Sequence, residues 1–84
     1  MNITLKYFSW IRVKLKKSHD LIELNQSISF KELKSDLILK DPIFHEVFED
    51  KSVKYFLNLK EIDNENQTLN NGDILAFLPP VTGG

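Results

Sequence analysis

Asn70-Asn71-Gly72-Asp73-Ile74-Leu75-Ala76-Phe77-Leu78-Pro79-Pro80-Val81-Thr82-Gly83-Gly84 is the stretch whose reading decides the fold. Asn70 to Asp73 is a turn signal in which Gly72 supplies a positive φ. Ile74 to Leu78 reads as an apolar strand. Pro79 and Pro80 lack amide donors and stop it. The two prolines favour a stiff, extended segment, and the β-branched Val81 and Thr82 extend it further. Gly83 and Gly84 have no Cβ, so this end can enter a channel too narrow for any other residue. Six extended residues reach roughly 20 Å beyond the strand. The tip carries no side-chain functional group, and the reactive group it offers is the α-carboxylate of Gly84. A frayed terminus is the competing reading of any chain end. The strand and the Pro-Pro-Val-Thr run before the glycines favour presentation.

Working back from that strand, the chain spells out a small two-layer domain. Ile3 to Tyr7 alternates apolar and polar, with Ile3, Leu5 and Tyr7 as the core face. Phe8 and Trp10 are expected on the outer face with Thr4 and Lys6. Arg12 to Ser18 is basic and is expected as a loop or hairpin connection, and Asp20 to Leu24 as a second strand. Ser29-Phe30-Lys31-Glu32 has the pattern of a capping box, with Ile28 and Leu33 at the staple positions. Phe30, Leu33, Leu37 and Ile38 then mark one apolar face of a helix. Asp41 is placed to cap a second short helix that has Pro42 at its first position. Ile43, Phe44, Val47 and Phe48 anchor it. Val53 to Asn58 reads as a third strand with Val53, Tyr55 and Leu57 inward. Asn58 to Glu61 turns the chain, Ile62 starts a short return strand, and Leu69 is an isolated apolar anchor. One helix across a mixed sheet is an α+β arrangement. With the first and last strands as central neighbours it becomes a ubiquitin-like β-grasp: residues 1–78 form the domain and residues 79–84 the extended tail.

Composition closes off most other chemistry. The chain has 84 residues, 42% of them hydrophobic, which is one domain with a modest core. It has no cysteine, so disulfides, thiolate metal sites and a cysteine nucleophile are excluded. The net charge of -1 gives no overall reason to bind nucleic acid. No apolar run has membrane-spanning length and no signal-peptide core is present, which points to the cytoplasm. His19 and His45 lack a third ligand at useful spacing, so no metal is expected. Gly72, Gly83 and Gly84 are the only glycines, and none belongs to a phosphate-binding loop. The run Arg12-Val13-Lys14-Leu15-Lys16-Lys17 reads as a solvated basic segment more readily than as an anion site.

On the Gly-Asp turn, the apolar strand and Pro-Pro-Val-Thr-Gly-Gly, the chain resembles the small subunit of molybdopterin synthase, a ubiquitin-like sulfur carrier. The opening strand, the capped helix and the strand ending Leu57-Asn58 extend the likeness. The resemblance implies that an E1-like enzyme uses ATP to adenylate Gly84 and that a persulfide source converts it to a thiocarboxylate. It implies delivery of that sulfur to cyclic pyranopterin monophosphate inside the large subunit, in a heterotetramer, to build the molybdopterin dithiolene. The carrier then holds no cofactor of its own and supplies no acid–base group. Pro79, Pro80, Val81, Thr82 and Gly83 would shape the delivery of Gly84. Phe8, Ile74, Ala76 and Leu78 would form the partner-facing patch, although alternation leaves open whether Ile74 and Ala76 or Leu75 and Phe77 face inward. The segment Ile11 to Lys17 departs from the family pattern in lacking its Glu and Gly, and Leu78 stands where an aromatic is common. A carrier for thiamine or a tungsten cofactor, a ubiquitin-like protein modifier and an inert interaction module are the other readings of the same tail.

Overall fold

The structure, a computed structural model, describes residues 1–80. Its elements are β1 (Asn2–Tyr7), α1 (Trp10–Leu15), β2 (His19–Glu23), β3 (Ile28–Ser29), α2 (Phe30–Lys40), α3 (Ile43–Glu49), β4 (Lys54–Leu57), β5 (Lys60–Ile62), β6 (Thr68–Leu69) and β7 (Ile74–Leu78). Five strands form one sheet in the order β2-β1-β7-β4-β5, and β3 pairs with β6 in a small second sheet. β1 and β7 run parallel at the centre, with Leu5 beside Leu75 and Tyr7 beside Phe77. The other pairings are antiparallel. The helices cover one face of the sheet, which is the ubiquitin-like β-grasp.

The core follows the alternation of the strands. Ile3, Leu5 and Tyr7 from β1 and Leu75 and Phe77 from β7 are buried against Phe30, Leu33, Leu37, Phe44 and Val47 of the helices. Aromatic rings fill the space under β7. Phe77 meets Tyr7 edge-on at 5.2 Å and Tyr55 at 5.2 Å, and Phe48 lies 5.9 Å away. Such pairs add to the burial of large apolar surface. Val53 is buried, while Tyr55 and Leu57 are half-buried against the same core.

The helix α2 starts as its capping box dictates. Ser29 Oγ accepts from the Glu32 amide at 3.1 Å, and Glu32 Oε1 accepts from the Ser29 amide at 3.4 Å. The next amides, which no helical carbonyl can satisfy, go to the 65–67 loop: Phe30 donates to the Gln67 carbonyl and Lys31 to that of Glu65. At the start of α3, Asp41 Oδ1 accepts from the Ile43 amide at 3.1 Å, and Pro42 already has helical φ and ψ.

Four expectations are corrected. Arg12 to Ser18 is not a simple loop: α1 covers Trp10–Leu15 and turns Ile11 and Leu15 into the core. It begins after Ser9 and ends at Lys16, both with positive φ. The chain therefore leaves the plane of β1 after Phe8, and Trp10 packs half-buried against the core instead of sharing the outer face. The turn after β4 is only Asn58-Leu59, because Leu57 already pairs with Lys60 and Phe56 with Glu61. Leu69 is no isolated anchor; it sits fully buried in β6, opposite Ile28.

Candidate functional site

Everything near the tail hangs on β7, and β7 is fixed at both ends. At its start, Asn71 Oδ1 accepts from the Asn2 amide at 2.8 Å, and the Gly72 amide donates to the Asn2 carbonyl at 2.8 Å. Gly72 has φ 86°, which other residues adopt only with strain. Asp73 Oδ2 accepts from the Asn70 amide at 2.7 Å and closes the turn. Asn58 then ties the β4–β5 hairpin to the same point. Its Oδ1 accepts from the Ile74 amide at 2.9 Å, its Nδ2 donates to Asp73 Oδ1 at 2.9 Å, and its own amide donates to the Ile74 carbonyl at 2.8 Å. Asn58 makes these contacts with φ 50°, a conformation that asparagine tolerates better than most residues.

At the other end, the Phe77 ring is held among aromatic neighbours, and the ladder closes with Leu78 beside Lys54. Pro79 is half-buried and Pro80 exposed, immediately past the sheet. A central strand with neighbours on both sides cannot shift without breaking both ladders. The point from which the tail departs is therefore rigid. Val81, Thr82, Gly83 and Gly84 lie outside the described residues.

The outer face of β7 settles the question that alternation left open. Leu75 and Phe77 are wholly buried, while Ile74 is 42% exposed and Ala76 and Leu78 lie half-open beside it. Phe8, 40% exposed, joins them. Together with Lys6, Phe56, Asn58 and Leu59 they line a shallow depression of about 390 Å³. The structure thus gathers all four expected patch residues on one face, next to the root of the tail. It adds two that sequence reading missed. Phe56 alternates with the inward Tyr55 and Leu57, and that period was the available signal. Leu59 occupies the tip of the hairpin with φ 74° and 97% exposure; nothing local in the sequence marks a leucine for that position.

Several ionisable groups elsewhere make contacts within the fold. Tyr7 donates its hydroxyl to Asp20 Oδ2 at 2.6 Å, and Lys17 reaches the same oxygen at 2.8 Å. Burial, then the hydrogen bond and charge of Asp20, push the Tyr7 phenol far above its ordinary range. Burial and the charge of Asp50 raise Tyr55 in the same direction. Within the basic segment, Lys14 pairs with Glu46 at 3.2 Å, so two of its lysines are engaged inside the chain. His19 contacts Ser18, and His45 lies 3.5 Å from Glu49 on α3. Among the described residues no three His, Asp or Glu side chains are grouped to hold a metal, and no helix is long and apolar enough to cross a membrane.

Comparison with known proteins places this geometry. The sequence profile of the ThiS family matches residues 5–84. The chain belongs to the ThiS family. Its members are ubiquitin-like sulfur carriers. Among solved structures, it is similar to the protein–protein complex of subunits 1 and 2 of the molybdopterin-converting factor from Helicobacter pylori 26695, with 30% identity, TM-score 0.72 and full coverage of both chains. It has the fold of SAMP1 from Haloferax volcanii, with TM-score 0.81, 19% identity and full coverage of both. The thiamine biosynthesis protein ThiS from Geobacter metallireducens shares the fold at TM-score 0.60, with 22% identity and full coverage of both. No curated protein sequence matches.

Proposed function

We propose that this ThiS-family chain is the sulfur-carrying small subunit of a molybdopterin synthase. The observation that carries the reading is the rigid exit of Pro79-Pro80 from the central strand, beside an apolar outer face. The Pro-Pro-Val-Thr-Gly-Gly sequence and the 30% identity to a molybdopterin-converting factor chain support the choice of pathway.

The chemistry follows from the weakness of a carboxylate as an electrophile. An E1-like enzyme transfers AMP from ATP to the Gly84 carboxylate and releases pyrophosphate. A persulfide sulfur displaces AMP, and cleavage of the resulting acyl disulfide by a thiol leaves the thiocarboxylate. The large subunit then takes the extended tail into its active site, where the sulfur passes to the cyclic pyranopterin monophosphate and Gly84 returns to a carboxylate. Two carrier turnovers supply the two dithiolene sulfurs. The carrier contributes the sulfur, the reach of the tail and a docking face formed by Phe8, Ile74, Ala76 and Leu78. The partner is a large subunit, in a heterotetramer; the two-subunit complex of the Helicobacter pylori factor supports the pairing.

The deciding experiment mixes thiocarboxylated protein with a molybdopterin synthase large subunit and the pyranopterin precursor. Molybdopterin formation with loss of sulfur from Gly84 is the expected result. Failure to convert, together with lysine-linked conjugates in native cells, would assign the chain to protein modification. Failure to convert, together with sulfur transfer in a thiazole-forming system, would assign it to a thiamine-type pathway.

A further inference from the structure

The outer face of the sheet carries charges as well as apolar groups: Lys54 stands beside Leu78, and another row, which His19 continues on β2, has Lys6 and Glu61 flanking two apolar residues. At one level across four adjacent strands stand Lys6, Ala76, Phe56 and Glu61, one residue each from β1, β7, β4 and β5. Residues directly paired across strands share a face. Because Lys6, Ala76 and Phe56 line the outer depression, Glu61 shares that side as the partner of Phe56. The two charged ends are three strand spacings apart, about 14 Å, too far to meet within one chain. Neither forms an ion pair among the described residues.

This row is complementary to itself. A two-fold axis parallel to the strands, midway between β7 and β4, turns one sheet face onto another copy while keeping each residue at its level. Lys6 of one copy then faces Glu61 of the other, and Glu61 of the first faces Lys6 of the second. Small Ala76 faces large Phe56, again twice. Sheets packed in this aligned way interdigitate at about 10 Å, a separation that the lysine and glutamate side chains span. Isologous contacts of this kind are the commonest in soluble oligomers.

We propose that the occupant of this face, when no other protein covers it, is a second copy of this chain in a symmetric face-to-face dimer bracketed by two Lys6–Glu61 ion pairs. The inference does not depend on sulfur chemistry. It bears on the proposed function because the dimer hides Phe8, Ile74, Ala76 and Leu78. The axis preserves strand direction, so both tails leave from the same end of the dimer. A large subunit must separate the copies in order to dock.

Sedimentation of the full chain between about 10 µM and about 1 mM tests this, a range chosen to detect weak association. A reversible monomer–dimer equilibrium is expected. Lys6→Glu and Glu61→Lys should each weaken it by about tenfold or more, and the double exchange should restore it to within about threefold, since it rebuilds both pairs with reversed sign. Circular dichroism on each variant verifies that it is folded. A monomer at every concentration, an equilibrium indifferent to either single change, or a double exchange that stays dissociated overturns the proposal. Binding of the large subunit to the same wild-type protein is measured separately. If that binding persists while self-association is absent, the dimer fails and the functional reading stands.

Discussion

The two faces of β7 are made from one five-residue strand and do opposite things. Leu75 and Phe77 point into the core, where rings from β1, β4 and α3 surround Phe77. Ile74, Ala76 and Leu78 point the other way, onto a surface that no part of the described chain covers. Both faces are apolar, so hydrophobicity does not distinguish them. The difference is position: the helices occupy one side of the sheet only. The inner face fixes where Pro79 leaves the sheet, and the outer face is the one to which a docking role is proposed.

Removing Phe77 should break the inner side most severely. Phe77→Ala should cost about 3–5 kcal/mol, as for large aromatic truncations in cores, measured by urea unfolding. A loss near zero would mean that the ring cluster is not anchoring the strand. Deprotonation attacks the same cluster through Tyr7 and Tyr55. Both phenols are raised in the folded state, from an ordinary value of 10.0. The neutral forms are therefore favoured by folding: their contribution is complete below about pH 10 and is lost as pH rises above it. Unfolding at alkaline pH, followed by tyrosinate absorbance, should come sooner in the wild type than in Tyr7→Phe when each is compared with its own neutral-pH stability.

At the start of the strand, Asn58→Ala removes two side-chain hydrogen bonds and leaves alanine at positive φ. A loss of about 1–3 kcal/mol is expected, read from thermal or urea unfolding. Slower sulfur transfer should accompany it if the strand start directs the tail. On the outer face the order of effects reverses. Leu78→Ala and Ile74→Ser should each change stability by about 1 kcal/mol or less yet weaken large-subunit binding by about tenfold or more, as for residues at an interface centre. Calorimetric titration checks this; unchanged affinity would remove the docking role. The smallest effect is expected at the exposed Lys34–Glu65 pair. The hydrogen bond from Lys34, then its charge, lowers the Glu65 pKa. The resulting stability is present above the ordinary glutamate range and is lost as pH falls through the folded value. Glu65→Gln should flatten that acid limb slightly in a pH series of unfolding curves.

The sequence read well where a local pattern has a single physical solution. Ser29 and Glu32 sit at capping-box spacing, and the two reciprocal bonds form. The Ile3-Leu5-Tyr7 alternation has one buried face. It read poorly where elements are too short to show a period. α1 has six residues, and its only clue was Ile11 and Leu15 at i,i+4 inside a basic run. The pairing of β3 with β6 rests on two residues from each, far apart in the chain. The two-residue turn at Asn58-Leu59 leaves no sequence mark, because Leu59 breaks the usual preference for glycine at positive φ.

The sequence by itself determined the capped start of α2, the central strands β1 and β7, the stop at Pro79-Pro80 and the absence of any thiol, because these depend on backbone donors, caps, alternation and composition. Only the tertiary structure decided which side of β7 is buried, because alternate residues are apolar on both sides and the choice belongs to the helices packed against one of them. It also decided that Lys6, Ala76, Phe56 and Glu61 stand in one row, since strand register is set by pairing between segments that the chain brings together only on folding.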